Sequence, residues 1–209
     1  MSGLLVAAQE LPGAGRQVAV PYVTAWSEET DPPCVVIKRP GGIGYADESL
    51  ADRDRHGVLW LRTLFRPGKG RPEFGRVHPM RQRRAMRRLL CQICGHPADR
   101  TKDGVLWLLR DFRDDWPSWP DGMGVTEPPI CLSCVRLSMR LCPALRKGAA
   151  LVSARSYRVA GVEGLLYGRD GRQLRATVVF EDSDIHWVRA ACLVRELQNC
   201  VVLSLDDPV

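Results

Sequence analysis

Lysine is nearly missing from this chain: 4 of its 30 basic residues are Lys and 26 are Arg. Arginine codons are mostly GC-rich and lysine codons AT-rich, so the imbalance points to a GC-rich genome. The number of arginines is by itself weak ground for nucleic-acid binding. Long apolar runs are missing too. None approaches the roughly 18 to 20 residues a membrane span requires, so no membrane partner is expected. The opening "MSGLLVAAQELPGAG" has no basic n-region and only a short apolar stretch. It reads as a loose N-terminal segment of a cytoplasmic protein, not as a signal peptide. No complete catalytic motif occurs anywhere, and no catalytic residue is assigned.

What is present is a globular composition, 45% hydrophobic over 209 residues, which suits one domain or one core with a small appended module. Charge is unevenly placed. Residues 1–75 carry 9 basic and 9 acidic side chains, residues 76–148 carry 14 and 7, and residues 149–209 carry 7 and 8. The middle segment, net +7, therefore accounts for the whole excess of +6. The same segment holds two C-x-x-C pairs, Cys91 with Cys94 in "RRLLCQICGHPAD" and Cys131 with Cys134 in "ICLSC". In a chain of this length, with nothing that suggests export, such pairs favour a metal over disulfides.

Local patterns divide the chain into a poorly ordered stretch 1–19, a β-rich part 20–75, a basic helix with the cysteine pairs over 76–148, and a C-terminal part 149–209. Strands are expected at 18–27, 34–39, 58–65 and 104–112, on β-branched and aromatic content between Pro and Gly. The segments 40–57, 66–75 and 114–129 read as loops. A helix is expected over 78–90, with Pro79 in its first turn. Its arginines Arg81, Arg84 and Arg88 share a face at helical spacing, with Arg83 and Arg87 beside it. A second helix begins at the Cys131 pair and stops near Pro143. The last third reads as strands followed by a helix over 185–200, with Trp187, Ala190, Ala191, Val194 and Leu197 as its buried stripe, and a closing strand 201–205. "GVLWLRTLFR" at 57–66 matches "GVLWLLRDFR" at 104–113 in seven of ten positions, which we read as two similar buried strands.

Four thiolates satisfy a tetrahedral zinc ion, so Cys91, Cys94, Cys131 and Cys134 are the expected ligands of one structural zinc. The N-terminal dipole of the second helix favours thiolate charge on its cysteines. The order of knuckle, strands, then a helix carrying the second pair resembles the treble-clef zinc finger over about residues 88–145. "CQICGHPAD" with "PPICLSC" is also similar to the zinc-binding frame of HNH nucleases. That chemistry does not carry over: the strand "DGVLWLL" has no His, and no Asn stands shortly before the second pair. The whole chain resembles an uncharacterised group of zinc-knuckle proteins from high-GC bacteria, a resemblance that implies no activity.

The expected fold is α+β: mixed β-structure flanking a central treble-clef-like zinc module with four cysteine ligands, followed by a C-terminal helix and closing strand. The expected function is non-enzymatic nucleic-acid binding in a regulatory role, with DNA or RNA phosphates taken by Arg81, Arg83, Arg84, Arg87 and Arg88. A protein-interaction or assembly subunit is the alternative, with Trp116 and Trp119 of "DDWPSWPDG" as partner-binding anchors. An enzyme with a pocket away from the zinc is the third class.

Overall fold

The computed structural model describes residues 8–9, 18–115 and 117–205. Thirteen strands and two α-helices run through them in the order β1 (Ala8–Gln9), β2 (Val18–Ala19), β3 (Thr24–Trp26), β4 (Val36–Arg39), β5 (Gly42–Tyr45), β6 (Leu59–Trp60), β7 (Pro72–Val77), α1 (Pro79–Arg88), β8 (Arg100–Thr101), β9 (Gly104–Arg110), β10 (Met123–Val125), α2 (Leu132–Leu141), β11 (Ala149–Tyr167), β12 (Gln173–Val179) and β13 (Val188–Leu203). The protein is thus mixed α+β. No helix among the described residues is long and apolar enough to cross a membrane. Most of the stretch 1–19, expected to be poorly ordered, lies outside the described residues, as does Trp116.

A seven-stranded sheet organises the fold, and its strands come from all three later segments of the sequence. The 19-residue β11 lies at its centre. One edge of β11 pairs antiparallel with β13 along nearly its whole length. The other edge is shared: β9 takes Ala149 to Ala154 and β12 takes Gly161 to Tyr167. β8 extends the sheet beyond β9, while β10 and the parallel β6 pair with different parts of β13. Alternation along β9 and β11 sorts side chains to two faces. Val105, Trp107, Leu109, Ala150, Val152 and Ala154 enter one core cluster, whereas Leu106, Leu108 and Leu151 enter another on the opposite face. The run "VLWLL" is continuously apolar because both of its faces are covered. Its echo, Val58, Leu59 and Trp60, is buried as well.

The expected C-terminal helix does not form: residues 188–203 are the strand β13. Register shifts fall between Val159 and Gly161 and between Glu163 and Gly164 of β11, and Ala191 has no partner across the second one. That bulge sends both Ala190 and Leu193 into the same core cluster. A step of three replaces the step of two, and the inward pattern imitates a helical stripe. Other corrections are smaller. The two strands expected at 150–161 and 162–171 are one, 42–45 and 72–77 form strands where loops were expected over 40–57 and 66–75, and 123–125 forms β10 inside the expected long loop.

α1 packs on β13 through polar contacts. The Gln82 carboxamide donates to the Leu193 carbonyl at 2.9 Å and accepts from the Leu193 N–H at 3.0 Å. On that edge β6 pairs with residues 189–190 and β10 with residues 195–197. Gln82 fills the gap between them, as a strand would, and satisfies backbone groups that burial would otherwise leave unpaired.

Candidate metal centre and the arginine face

Helix α1 ends at Leu89, whose left-handed φ of 52° turns the chain into the first cysteine knuckle. Inside the knuckle the Cys91 N–H donates to the His96 carbonyl and the Gly95 N–H to the Cys91 carbonyl. Gly95 has φ +73°, and a Cβ there would stand 2.9 Å from the Tyr22 ring. The knuckle is also held from outside: Tyr22 and Val23 donate their N–H groups to the Ile93 and Gln92 carbonyls, and Gln92 donates to the Pro129 carbonyl. The second pair opens α2, with Cys131 as its N-cap and Cys134 in the first turn. Asp99, five residues past Cys94, accepts the Leu132 N–H at 2.8 Å and so fixes the first turn of α2 against the knuckle. Between the two pairs run the short hairpin β8–β9 and the strand β10.

These elements bring Cys91, Cys94, Cys131 and Cys134 together, with all four sulfurs within 4.8 Å of one another. The Sγ–Sγ separations are 3.7 Å for Cys94–Cys131 and 3.6 Å for Cys91–Cys131. Four sulfurs at about 2.3 Å from one ion form a tetrahedron with edges of about 3.8 Å, so the cage fits a tetrahedral metal. Cys91, Cys131 and Cys134 are buried in the cluster that includes Leu106, Leu108 and Leu151 of the sheet. The Cys91 thiol is drawn down to about 5 by the Cys134 thiol and, against burial, by backbone N–H groups of the knuckle. Burial pushes the Cys94 thiol up to about 11, and the Cys91 contact together with burial pushes Cys134 higher still. An ion bound at the centre would stabilise several thiolates at once. Cys34, Cys142, Cys192 and Cys200 are free thiols outside the cluster.

The arginines of α1 do not act as one set. Arg81 is buried, at 4% exposure, and donates to both carboxylate oxygens of Glu29 at 2.7 and 2.6 Å and to the Thr24 carbonyl. Glu29 is completely buried and also accepts the N–H groups of Trp26 and Arg66. Burial alone would raise the Glu29 carboxyl, but the bonds from Arg81 and Trp26 bring it below the ordinary carboxylate range. Arg81 therefore leaves the expected phosphate-binding face and belongs to the fold. His78, also fully buried, reaches the Leu64 carbonyl through Nε2.

Arg83 is half-buried, its guanidinium 4.4 Å above the Trp60 ring. Arg84, Arg87 and Arg88 are exposed. With Tyr22, Phe65 and Met80 they line a groove of about 420 Å³ on one side of α1. Trp119 is not a surface anchor: it is 8% exposed and packs with Val105, Trp107 and Leu109. The residues that sequence reasoning missed are Asp99, Gln82 and Glu29. Each acts on a partner more than 30 positions away, a distance no local pattern reports.

No protein-family model matches the chain, and no curated protein or solved structure matches it either.

Proposed function

We propose that the chain is a non-enzymatic nucleic-acid-binding protein whose fold is clamped by one structural zinc ion. The observation that carries the reading is the outer side of α1. Arg84 and Arg88 have no carboxylate partner among the described residues, and the one carboxylate near Arg87 is Asp54, 3.7 Å away. Arginines elsewhere in the described structure are commonly matched, as Arg62 is with Asp52, Arg158 with Glu196 and Arg175 with Glu163. Arg136 and Arg140 of α2 are exposed and unmatched too, so what sets Arg84, Arg87 and Arg88 apart is the groove they line with Tyr22 and Phe65. Guanidinium groups on a rigid helix suit phosphate oxygens, and the Tyr22 and Phe65 rings along the same groove suit the apolar parts of nucleotides.

Zinc is the ion favoured by four sulfur ligands in a tetrahedral cage, and four protein ligands leave no open position for a reacting water. The sequence of knuckle, hairpin and ligand-bearing helix supports the treble-clef reading. The absence of the HNH His and Asn from that frame supports a binding role over a nuclease.

The reading is tested with fluorescently labelled duplex DNA and RNA at low salt. An Arg84→Gln, Arg87→Gln, Arg88→Gln variant should lose at least tenfold in affinity while its zinc content and melting temperature stay unchanged. Equal affinity for variant and parent would overturn the proposal. A second reading, an assembly subunit, draws on the exposed Phe65, Phe74, Val77 and Met80, at 42 to 57% exposure around the start of α1. Apolar surface of that kind marks contact faces. Concentration-dependent dimerisation abolished by Phe74→Glu would favour it.

A further inference from the structure

A second cleft, of about 470 Å³, shares Arg83 and Arg87 with the α1 groove. The loop before β6 supplies Arg53, Asp54, Arg55 and His56, α1 supplies Arg83 and Arg87, and Phe180 stands against His56. The volume lies in the range of small-ligand sites.

Two arginines of the cleft are committed to the fold. Arg53 bonds Glu48 and the carbonyls of Gly57 and Ile43. Arg195 bonds the carbonyls of Met86 and Tyr157. Arg83 is different. It is half-buried, lies over Trp60, and has no hydrogen-bond acceptor among the described residues. Burial and the neighbouring Arg87 both disfavour its charge, and Asp54 is the group that favours it.

Asp54 is itself incomplete. Its side chain is 5% exposed. Oδ1 accepts the N–H groups of His56 at 2.9 Å and Val58 at 3.3 Å, whereas the buried Oδ2 has no hydrogen-bond partner. Arg87 Nη2 stands 3.7 Å from an Asp54 carboxylate oxygen, beyond bonding distance. The cleft therefore holds unfilled guanidinium donors and more positive charge than Asp54 offsets. Beside them the His56 and Phe180 rings are stacked at 4.1 Å and 13°. Their edges and faces make an aromatic wall of the kind on which a heterocyclic base packs.

We propose that this cleft binds a nucleoside monophosphate group, with the phosphate monoester on Arg83 and Arg87 and the base against the His56–Phe180 wall. A monoester brings three acceptor oxygens and nearly two negative charges, against one charge for a linking phosphate, and so matches the unfilled donors better. The group has two sources, a free nucleotide or the 5′-phosphorylated end of a strand. The strand source rests on the nucleic-acid reading of the α1 face, because Arg83 and Arg87 line both that groove and this cleft.

The test uses the full zinc-loaded chain and fluorescence anisotropy. The probes are a 3′-labelled 12-nucleotide single strand carrying a 5′-phosphate, the same strand with a 5′-hydroxyl, and adenosine 5′-monophosphate as competitor. The 5′-phosphorylated strand should bind about tenfold tighter than its hydroxyl counterpart. Arg83→Gln should erase that preference. His56→Ala, at an exposed position, should reduce it. Arg84→Gln with Arg88→Gln should weaken both strands and keep the preference. Equal binding of the two strands, together with no competition by the mononucleotide, would overturn the cleft proposal and leave the α1 face standing. Failure of both strands, with the mononucleotide bound in isothermal titration calorimetry and that binding lost in Arg83→Gln, would support the cleft and overturn the strand reading.

Discussion

Arg81 and Arg84 are three residues apart on one helix, yet one is a structural ion and the other a surface charge. The difference is Glu29, a fully buried carboxylate that Arg81 reaches from 52 positions away. The run of arginines was legible in the sequence. Which of them face solvent was not, because that depends on a partner in a distant loop. Arg81→Gln should therefore destabilise the fold by about 3 kcal/mol, since it strands the Glu29 charge in the interior. Arg84→Gln should stay within about 0.5 kcal/mol. Urea unfolding of the two variants measures the contrast, and equal effects would contradict the assignment. The same carboxylate has a pH consequence. The Glu29 carboxyl is held below its ordinary range, and so is Asp52, which is bonded by Arg62. A depressed folded-state pKa contributes stability that is present above the unfolded value, about 4, and is lost as pH falls through the folded value. Stability should fall with acidification below about pH 4, and Asp52→Asn should flatten that limb in urea titrations at pH 2 to 5. An unchanged acid limb would mean that Asp52 has no such role.

At the scale of elements, the cysteine knuckles were legible because their ligands lie three residues apart and the spacing itself is the chemical signal. The two helices were legible for a similar reason, each having a local start in Pro79 or the Cys131 turn. β13 was not. Its bulge at Ala191 gives Ala190 and Leu193 the same burial, and a three-residue step belongs to a helix in any reading that assumes regular pleating. The choice is settled by β11, which offers 19 residues of partner backbone that a local pattern does not contain. Gln82 is the counterpart of that bulge, since its carboxamide completes the β13 edge at Leu193. Replacing it by Leu leaves the Leu193 N–H, the Leu193 carbonyl and the Thr126 carbonyl without this partner. The expected cost is about 1–3 kcal/mol per orphaned group. The expected local sign is faster amide hydrogen exchange at Leu193 with little change at Val152, ten residues along β11 from Val162, the partner of Leu193. Unchanged protection at Leu193 would show that the edge is satisfied in another way.

For the whole molecule, the metal cage and the sheet share one core. Cys91, Cys131 and Cys134 pack with Leu106, Leu108 and Leu151, so an ion bound by the four cysteines would hold α2 and the first knuckle onto one face of β9 and β11. Chelation should cost tertiary structure across the sheet as well as the knuckles, because the binding energy of a structural metal is folding energy. Near-ultraviolet circular dichroism follows this through the buried Trp107. Native signal after complete metal removal would contradict it. The sequence announced the cage and the net +7 of the middle segment. It did not announce that the excess would be presented between two clefts on α1, which depends on the packing of α1 against β13. The central claim is that this face contacts phosphates, and the salt dependence of oligonucleotide affinity tests it most directly. In duplex DNA each phosphate contact adds about 0.9 to the slope of log K against log salt, so the Arg84→Gln, Arg87→Gln, Arg88→Gln variant should show a slope shallower by roughly 2.7. A folded, metal-loaded variant whose slope equals that of the parent would contradict the account.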